Sequence, residues 1–150
     1  MNAASLRYEA LLQLLRAADT LWNASRAFFA EWDLSPSQFN VLSLLQSHPD
    51  GVSQIELSRQ LIMHRSNATG LVDRLERRGL VKRRNLAGDR RAYRVVLTSS
   101  GNKLLRRMLP AYHAKADRVW GKVPDKRVAA LLDDLKQVAT HAEALATRLK

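Results

Sequence analysis

A predicted helix around residues 65–77 carries side chains that can form hydrogen bonds with the edges of DNA bases. Arginine can bind guanine through two hydrogen bonds, asparagine can bind adenine in the same way, and threonine offers a hydroxyl and a methyl group. Residues of this kind at its N-terminal end are Arg65, Ser66, Asn67 and Thr69. With about 100° between successive residues, the apolar face of the helix lies on the other side. That face is formed by Ala68, Leu71, Val72 and Leu75. The pattern indicates a helix that packs through one face and reads bases with the other; an ordinary solvated face is the alternative.

A short basic segment follows this helix. Within thirteen residues it contains six cations and one acid, namely Lys82, Arg83, Arg84, Asp89, Arg90, Arg91 and Arg94. An arginine at a hairpin tip can enter a narrow minor groove, where the negative potential of DNA is deepest. Asp89 is expected to hold a neighbouring guanidinium through a bidentate pair. We predict DNA contacts from Arg84, Arg90 and Arg91; a hairpin that its charge merely keeps soluble is the alternative.

The positive charge of the chain is concentrated in its middle third. The 150 residues include 25 Lys and Arg and 14 Asp and Glu, for a formal net charge of +11. Residues 51–110 hold fourteen basic and four acidic side chains, whereas residues 1–50 are net negative. A focused basic block of this kind is typical of a surface that meets phosphate groups.

Residues suited to several other kinds of chemistry are missing from the sequence. The absence of cysteine excludes disulfide scaffolds, thiol catalysis and cysteine-based redox sensing. With no nucleophile–base set or glycine-rich phosphate loop, we expect neither an enzyme nor a cofactor. The four histidines are scattered, so no metal site is predicted.

The sequence also lacks membrane and secretion signals. No apolar run approaches the ~18 residues that span a bilayer, and no secretory signal begins the chain. We therefore expect a cytoplasmic protein with no membrane partner.

Local signals predict the elements that position these residues. Capping boxes at Ser35 with Gln38 and at Ser53 with Glu56 mark two helix starts. The base-reading helix is predicted from about His64 to Arg78, with Gly79 in the left-handed position that ends it. The β-prone runs 80–84 and 93–97 are joined by residues 85–92 as a hairpin loop.

Long amphipathic helices are predicted at both ends of the chain. Residues 4–32 and the segment that follows Pro124 carry apolar side chains at alternating spacings of three and four. A helix capped by Thr98 extends to about Trp120, with a kink or an interruption expected at Pro110. The two terminal apolar stripes pack either on each other within one chain or across the axis of a two-fold dimer.

Two segments resemble the MarR family of bacterial winged helix-turn-helix regulators. They are residues 88–101, Gly-Asp-Arg-Arg-Ala-Tyr-Arg-Val-Val-Leu-Thr-Ser-Ser-Gly, and residues 71–81, Leu-Val-Asp-Arg-Leu-Glu-Arg-Arg-Gly-Leu-Val. The resemblance implies a mainly α fold with a small β-hairpin wing (α+β). It also implies one domain over residues 1–150, with a winged helix-turn-helix part at 35–100 and helical dimerisation parts at 1–32 and 101–150.

The function implied by the resemblance is sequence-specific DNA binding. A homodimer would bind a palindromic operator, usually to repress nearby genes, and a small aromatic or phenolic effector would release it. The alternative is a nonspecific architectural DNA-binding protein, which binds through phosphates and bending.

The resemblance also implies roles for particular residues. Arg91 would enter the minor groove with Asp89 as its supporting acid, and Arg74 would contact the DNA backbone or base edges. The major groove would be read by Arg65, Ser66, Asn67 and Thr69. Ser53 and Gln54, at a helix N-terminus, are expected to contact phosphates. Effector contacts are assigned to Trp22, Phe29, His48 and Tyr112.

Overall fold

The computed structural model describes residues 3–62, 67–86 and 89–148 of the chain, and the side chains of 5–62, 67–85 and 93–148. In chain order, the elements are α1 (Ala3–Ala30), α2 (Pro36–Gln46), β1 (Val52–Ser53), α3 (Gln54–Gln60), α4 (Ala68–Arg77), β2 (Val81–Leu86), β3 (Asp89–Leu97), α5 (Ser99–Trp120) and α6 (Asp125–Arg148). Three antiparallel strands form one sheet in the order β1-β3-β2. The predicted mainly α fold with a small hairpin is confirmed.

The chain divides into two compact units, residues 1–112 and residues 113–150. The first unit contains the hydrophobic core, which draws buried side chains from the end of α1, from α2, α3, α4, the sheet and the start of α5. Its aromatic centre stacks Phe29 on Phe39 with ring centroids 4.5 Å apart, and Tyr112 lies 5.3 Å from Phe29. Because these rings come from α1, α2 and α5, their contacts fix the three helices to one another.

The predicted helix starts are confirmed in atomic detail. The Ser35 hydroxyl accepts a hydrogen bond from the Gln38 backbone N–H at 3.2 Å, and the Gln38 side chain accepts one from the Ser35 N–H at 2.8 Å. Ser53 and Glu56 form the same reciprocal pair at the start of α3. Each box satisfies two backbone donors that a helix N-terminus otherwise leaves unpaired.

Two predicted regions have different bounds in the structure, and one short strand has no predicted counterpart. Helix α4 begins at Ala68 with Asn67 as its N-cap, later than the predicted start at His64, and residues 63–66 lie outside the described part of the chain. Strands β2 and β3 extend through most of the predicted 85–92 loop, because backbone pairing continues beyond the β-prone side chains. Strand β1 was not predicted, since two residues are too few to show a periodic pattern.

We predicted a kink or an interruption at Pro110; helix α5 continues through this residue, so there is no interruption. Proline removes one backbone hydrogen bond from a helix. Leu105 and Met108, one turn earlier, are fully buried. Their packing against the core holds this part of α5 in place and offsets the lost bond.

Gly101 lies where the first turn of α5 meets the end of the preceding hairpin. The Thr98 hydroxyl accepts the Gly101 N–H at 3.1 Å and donates to the carbonyl of Gly79 at 2.6 Å. A Cβ atom at Gly101 would lie 2.2 Å from the carbonyl oxygen of Leu80. The absence of a side chain therefore permits this close approach of two backbone segments.

Gly101→Ala is expected to lower the free energy of unfolding by about 3 kcal/mol, because the added Cβ forces the backbone to move. The measurement is urea unfolding of wild type and variant. Gly79→Ala is the control: its φ is +68°, but nothing lies within 4 Å of its Cβ. That variant is expected to cost about 1 kcal/mol through conformational strain alone. A smaller loss at Gly101 than at Gly79 would contradict the close approach.

Candidate nucleic-acid interface

Helix α4 has the two faces that its sequence predicts. Ala68, Leu71, Val72 and Leu75 are all buried. Asn67, Thr69 and Arg74 are exposed, and Gly70 between them is half-buried. The apolar face therefore anchors the helix in the core and leaves its polar N-terminal end open to a partner. The predicted base readers Arg65 and Ser66 lie outside the described residues.

Gln54, predicted to contact phosphate, connects three elements. Its side-chain amide donates to the Thr69 hydroxyl of α4 at 3.3 Å, and its carbonyl oxygen accepts the Tyr93 hydroxyl of β3 at 3.4 Å. The neighbouring Ser53 hydroxyl accepts the Glu56 N–H, and it keeps its own hydrogen for donation. The structure thus brings Ser53, Gln54 and Thr69 together at one edge of α4.

Arg83 is the main residue of this region that sequence reasoning did not select. Its guanidinium forms an ion pair with Asp73 at 2.5 Å, and a second ion pair with Glu76. The Arg83 backbone N–H donates to Glu76 at 2.8 Å, and the guanidinium lies 5.3 Å from the centre of the Tyr93 ring. Together with the Gln54 bonds, these contacts form a closed circuit through α4, β2, β3 and α3.

The circuit around Arg83 also sets its ionisation. Partial burial by itself lowers the pKa of the guanidinium, but hydrogen bonds with Asp73, Tyr93 and Glu76 outweigh it and raise the pKa above its ordinary value. The positive charge of Arg83 is therefore permanent and is balanced by two carboxylates. Arg83 contributes to the orientation of the hairpin on α4 rather than to the open positive surface. Spacing alone could not reveal this pairing, because the acids lie seven and ten residues away on another element.

Two other arginines of the sheet donate hydrogen bonds to the turn that precedes β1. Arg84, a predicted DNA contact, is exposed and donates to the carbonyl of Asp50 at 2.8 Å. Arg94 donates to the carbonyl of Gly51 at 2.8 Å. The Ser53 backbone lowers the pKa of the nearby Glu56 carboxyl through its hydrogen bond, so the capping box favours the charged form. The backbone of Asp89, Arg90 and Arg91 belongs to β3, but their side chains lie outside the described residues.

The four predicted effector residues do not line one common groove: Phe29 and Tyr112 pack together, and Trp22 and His48 lie in other surroundings. Phe29 is 2% exposed and packs in the aromatic centre beside Tyr112. His48 places Nδ1 2.9 Å from the carbonyl oxygen of Leu44. Trp22 lines a groove of about 310 Å³, and none of the other three lines it. The groove is lined by Trp22, Arg26, Leu34, Ser35, Pro36 and Ser37.

The described ranges contain no cluster of three or more His, Asp or Glu residues that could hold a metal ion. Within the same ranges, no helix is both long enough and apolar enough to cross a membrane.

The short helix α3, the exposed helix α4 and the hairpin behind it define a winged helix-turn-helix protein. A sequence profile of the MarR family matches residues 32–92. The transcriptional regulator PrsX of Escherichia coli is 32% identical over 139 residues, which cover 83% of this chain and 82% of PrsX. The repressor YetL of Bacillus subtilis is 31% identical over 127 residues, covering 84% of this chain and 75% of YetL.

Solved structures agree with the sequence comparisons. The repressor CouR, bound to a 23-mer DNA duplex, is 30% identical and superposes with a TM-score of 0.78, covering 93% of this chain and 98% of CouR. CouR from Rhodococcus jostii RHA1, bound to p-coumaroyl-CoA, is 27% identical with a TM-score of 0.72. That alignment covers 85% of this chain and 88% of CouR. The chain belongs to the MarR family. The relatives PrsX and YetL are transcriptional regulators.

Arg83→Met is expected to lower the free energy of unfolding by about 1–3 kcal/mol, because Asp73 and Glu76 lose their shared cation. The matched control is Lys82→Met, which removes an equal charge from an exposed position of the same strand and is expected to cost less than about 0.5 kcal/mol. Urea unfolding of both variants measures the difference. Equal losses would show that the circuit around Arg83 contributes nothing beyond its charge.

Proposed function

We propose that the protein is a homodimeric transcriptional repressor that binds a specific palindromic DNA operator and has no enzymatic activity. The observation that supports this proposal is the exposed polar end of α4, which is anchored by its buried apolar face. The basic hairpin beside it adds the charge that DNA binding requires. The DNA-bound state of CouR, a relative of the same fold, is consistent with this use of the surface.

The winged helix-turn-helix part, residues 35–100, would dock as follows. Helix α4 enters the major groove with Asn67 and Thr69 at base edges, and Arg65 and Ser66 precede them in the sequence. Arg91 reaches the minor groove from the hairpin, with Asp89 as its supporting acid. Ser53 and Gln54 are assigned to phosphates, and Arg74 to the DNA backbone or base edges. Further DNA contacts are assigned to Arg84 and Arg90.

The dimer proposal rests on apolar surface at both ends of the chain. Helix α6 has 24 residues and buries none of them, and its exposed side chains include Leu131, Val138 and Leu145. Helix α1 likewise exposes Leu11 and Leu15. A second copy would remove this surface from water, and we assign residues 1–32 and 101–150 to dimerisation. A two-fold dimer presents two copies of α4, which matches a palindromic operator.

The protein is expected to bind DNA from upstream of its own gene more tightly than a scrambled duplex at the same salt concentration. Asn67→Ala should relax preference at one half-site position by about 1–3 kcal/mol, because one base loses its hydrogen bonds. Fluorescence anisotropy with single-base operator variants measures both effects, and Gln46→Ala, at an exposed position of α2, is the control. Equal affinity for operator and scrambled DNA would favour the nonspecific architectural alternative.

The wild-type protein is expected to sediment as a dimer, and the double variant Leu131→Glu with Val138→Glu as a monomer that binds the operator weakly. Both side chains are more than 40% exposed, so the charges disturb an interface rather than the core of one chain. Thr140→Glu, on the opposite face of α6 and exposed, adds a charge without touching the stripe and should leave the dimer intact. A double variant that remains dimeric would exclude α6 from the interface.

The groove at Trp22 is the place where we propose that an aromatic acid binds as the effector. Its volume of about 310 Å³ is at the lower end of the range for ligand sites. Trp22 offers a ring for stacking and Arg26 a cation for the carboxylate. Trp22 is therefore a better candidate than Phe29, which is closed in among other rings.

An aromatic acid that binds this groove is expected to raise the melting temperature of the native protein. Arg26→Met should abolish the shift, because the carboxylate loses its cation, whereas Arg16→Met on the exposed surface of α1 should not. Differential scanning fluorimetry with a panel of aromatic acids provides the measurement. A shift that survives Arg26→Met would place the ligand elsewhere.

A further inference from the structure

We propose that a second ligand site lies in the cleft between the C-terminal half of α4 and the turn that joins α1 to α2. The ligand class is a small organic phosphomonoester. The cleft has a volume of about 460 Å³ and is separate from the Trp22 groove, with which it shares one lining residue, Leu34. The residues that line it are Ala30, Asp33, Leu34, Gln38, Arg74, Arg77 and Arg78.

Three arginines converge on this concave surface. Arg74, Arg77 and Arg78 are spaced by three and four residues, which places them on one side of α4. The negative end of the helix dipole accounts for cations in the last turn of a helix. It does not account for their arrangement around a cleft that contains a single carboxylate, that of Asp33.

The arginines differ in how far their charge is already balanced. Arg78 forms an ion pair with Asp33 at 3.1 Å and also donates to the Asp33 carbonyl. Within the described ranges, Arg77 donates from its Nε to the Asp73 carbonyl at 3.4 Å and forms no ion pair. Arg74 makes no ion pair with any residue in the described ranges. Three guanidinium charges against one carboxylate leave the cleft with a net charge of +2.

A phosphomonoester matches this cleft in both charge and shape. Its phosphate carries roughly −1.5 to −2 at pH 7. The planar guanidinium forms paired hydrogen bonds with phosphate oxygens. Gln38 accepts the Ser35 N–H through its carbonyl oxygen, which leaves its NH₂ group as a further donor. Ala30 and Leu34 provide an apolar wall for the organic group, which a phosphodiester of the DNA backbone would not use.

The effect of this ligand site on DNA binding rests on the proposed function. Arg74 belongs both to this cleft and to the set of proposed DNA contacts. A phosphomonoester bound by Arg74 and Arg77 would occupy that side chain and bring negative charge toward the duplex. The ligand and the operator would therefore compete for α4.

The direct test is titration of the full-length protein with phenyl phosphate, followed through the NMR signals of the arginine Nε–H groups. The Arg74 and Arg77 signals are expected to shift, inorganic phosphate should bind more weakly, and phenol should not bind. Arg77→Met should weaken phenyl phosphate binding by about tenfold or more. The control is Arg106→Met, an equal charge change on the exposed surface of α5, which should bind phenyl phosphate normally.

Unmoved arginine signals, or equal binding by Arg77→Met and wild type, would overturn the site.

A second experiment measures operator affinity in the presence of phenyl phosphate at constant ionic strength. Weaker operator binding is expected for the wild type and not for Arg77→Met. If phenyl phosphate does not bind and Arg77→Met reduces the salt dependence of DNA binding by about one ion, the cleft holds a DNA phosphate instead. Failure of the wild type to bind DNA would refute the proposed function, while the arginine signals would still decide the cleft.

Discussion

The ion pairs of Arg83 are the interaction on which the geometry of the proposed interface depends. One guanidinium joins Asp73 and Glu76 of α4 to strand β2 and lies against Tyr93 of β3. A helix presented to DNA is useful only when its angle to the wing is fixed, because base edges must be met within a fraction of an ångström. Ordinary loop connections do not provide that precision. A partly buried, charge-balanced contact between two elements does.

The surface of helix α4 is divided between four roles. Its apolar face belongs to the core, its N-terminal end is open and polar, and its C-terminal half carries arginines. Asp73 and Glu76 supply the connection to the hairpin. Charge is therefore not spread evenly over the basic middle of the chain: some cations are internally paired, and others, such as Arg74, remain available to an anion.

Much of the fold could be predicted because its signals are local. The capping boxes at Ser35 and Ser53 and the left-handed Gly79 appear where the sequence places them, since each depends on residues within one turn. The hairpin is longer than predicted, because Leu86 still pairs with Asp89 after a register shift beyond Asn85, and the local side-chain pattern does not indicate such an irregular pairing. The two-residue strand β1 depends on pairing with Val95 and Arg94, which no local pattern reveals.

By itself the sequence determined the helical periods, the caps, the concentration of positive charge and the polar end of α4, all of which follow from neighbouring residues. Tertiary structure alone decided which cations are paired with acids. It paired Arg83 with two acids on another element and Arg78 with Asp33, 45 residues away. It also buried Phe29 in the core, where its ring stacks on that of Phe39. The reason is physical: the environment of a charge or a ring is set by whatever the fold brings beside it, and spacing along the chain does not contain that information.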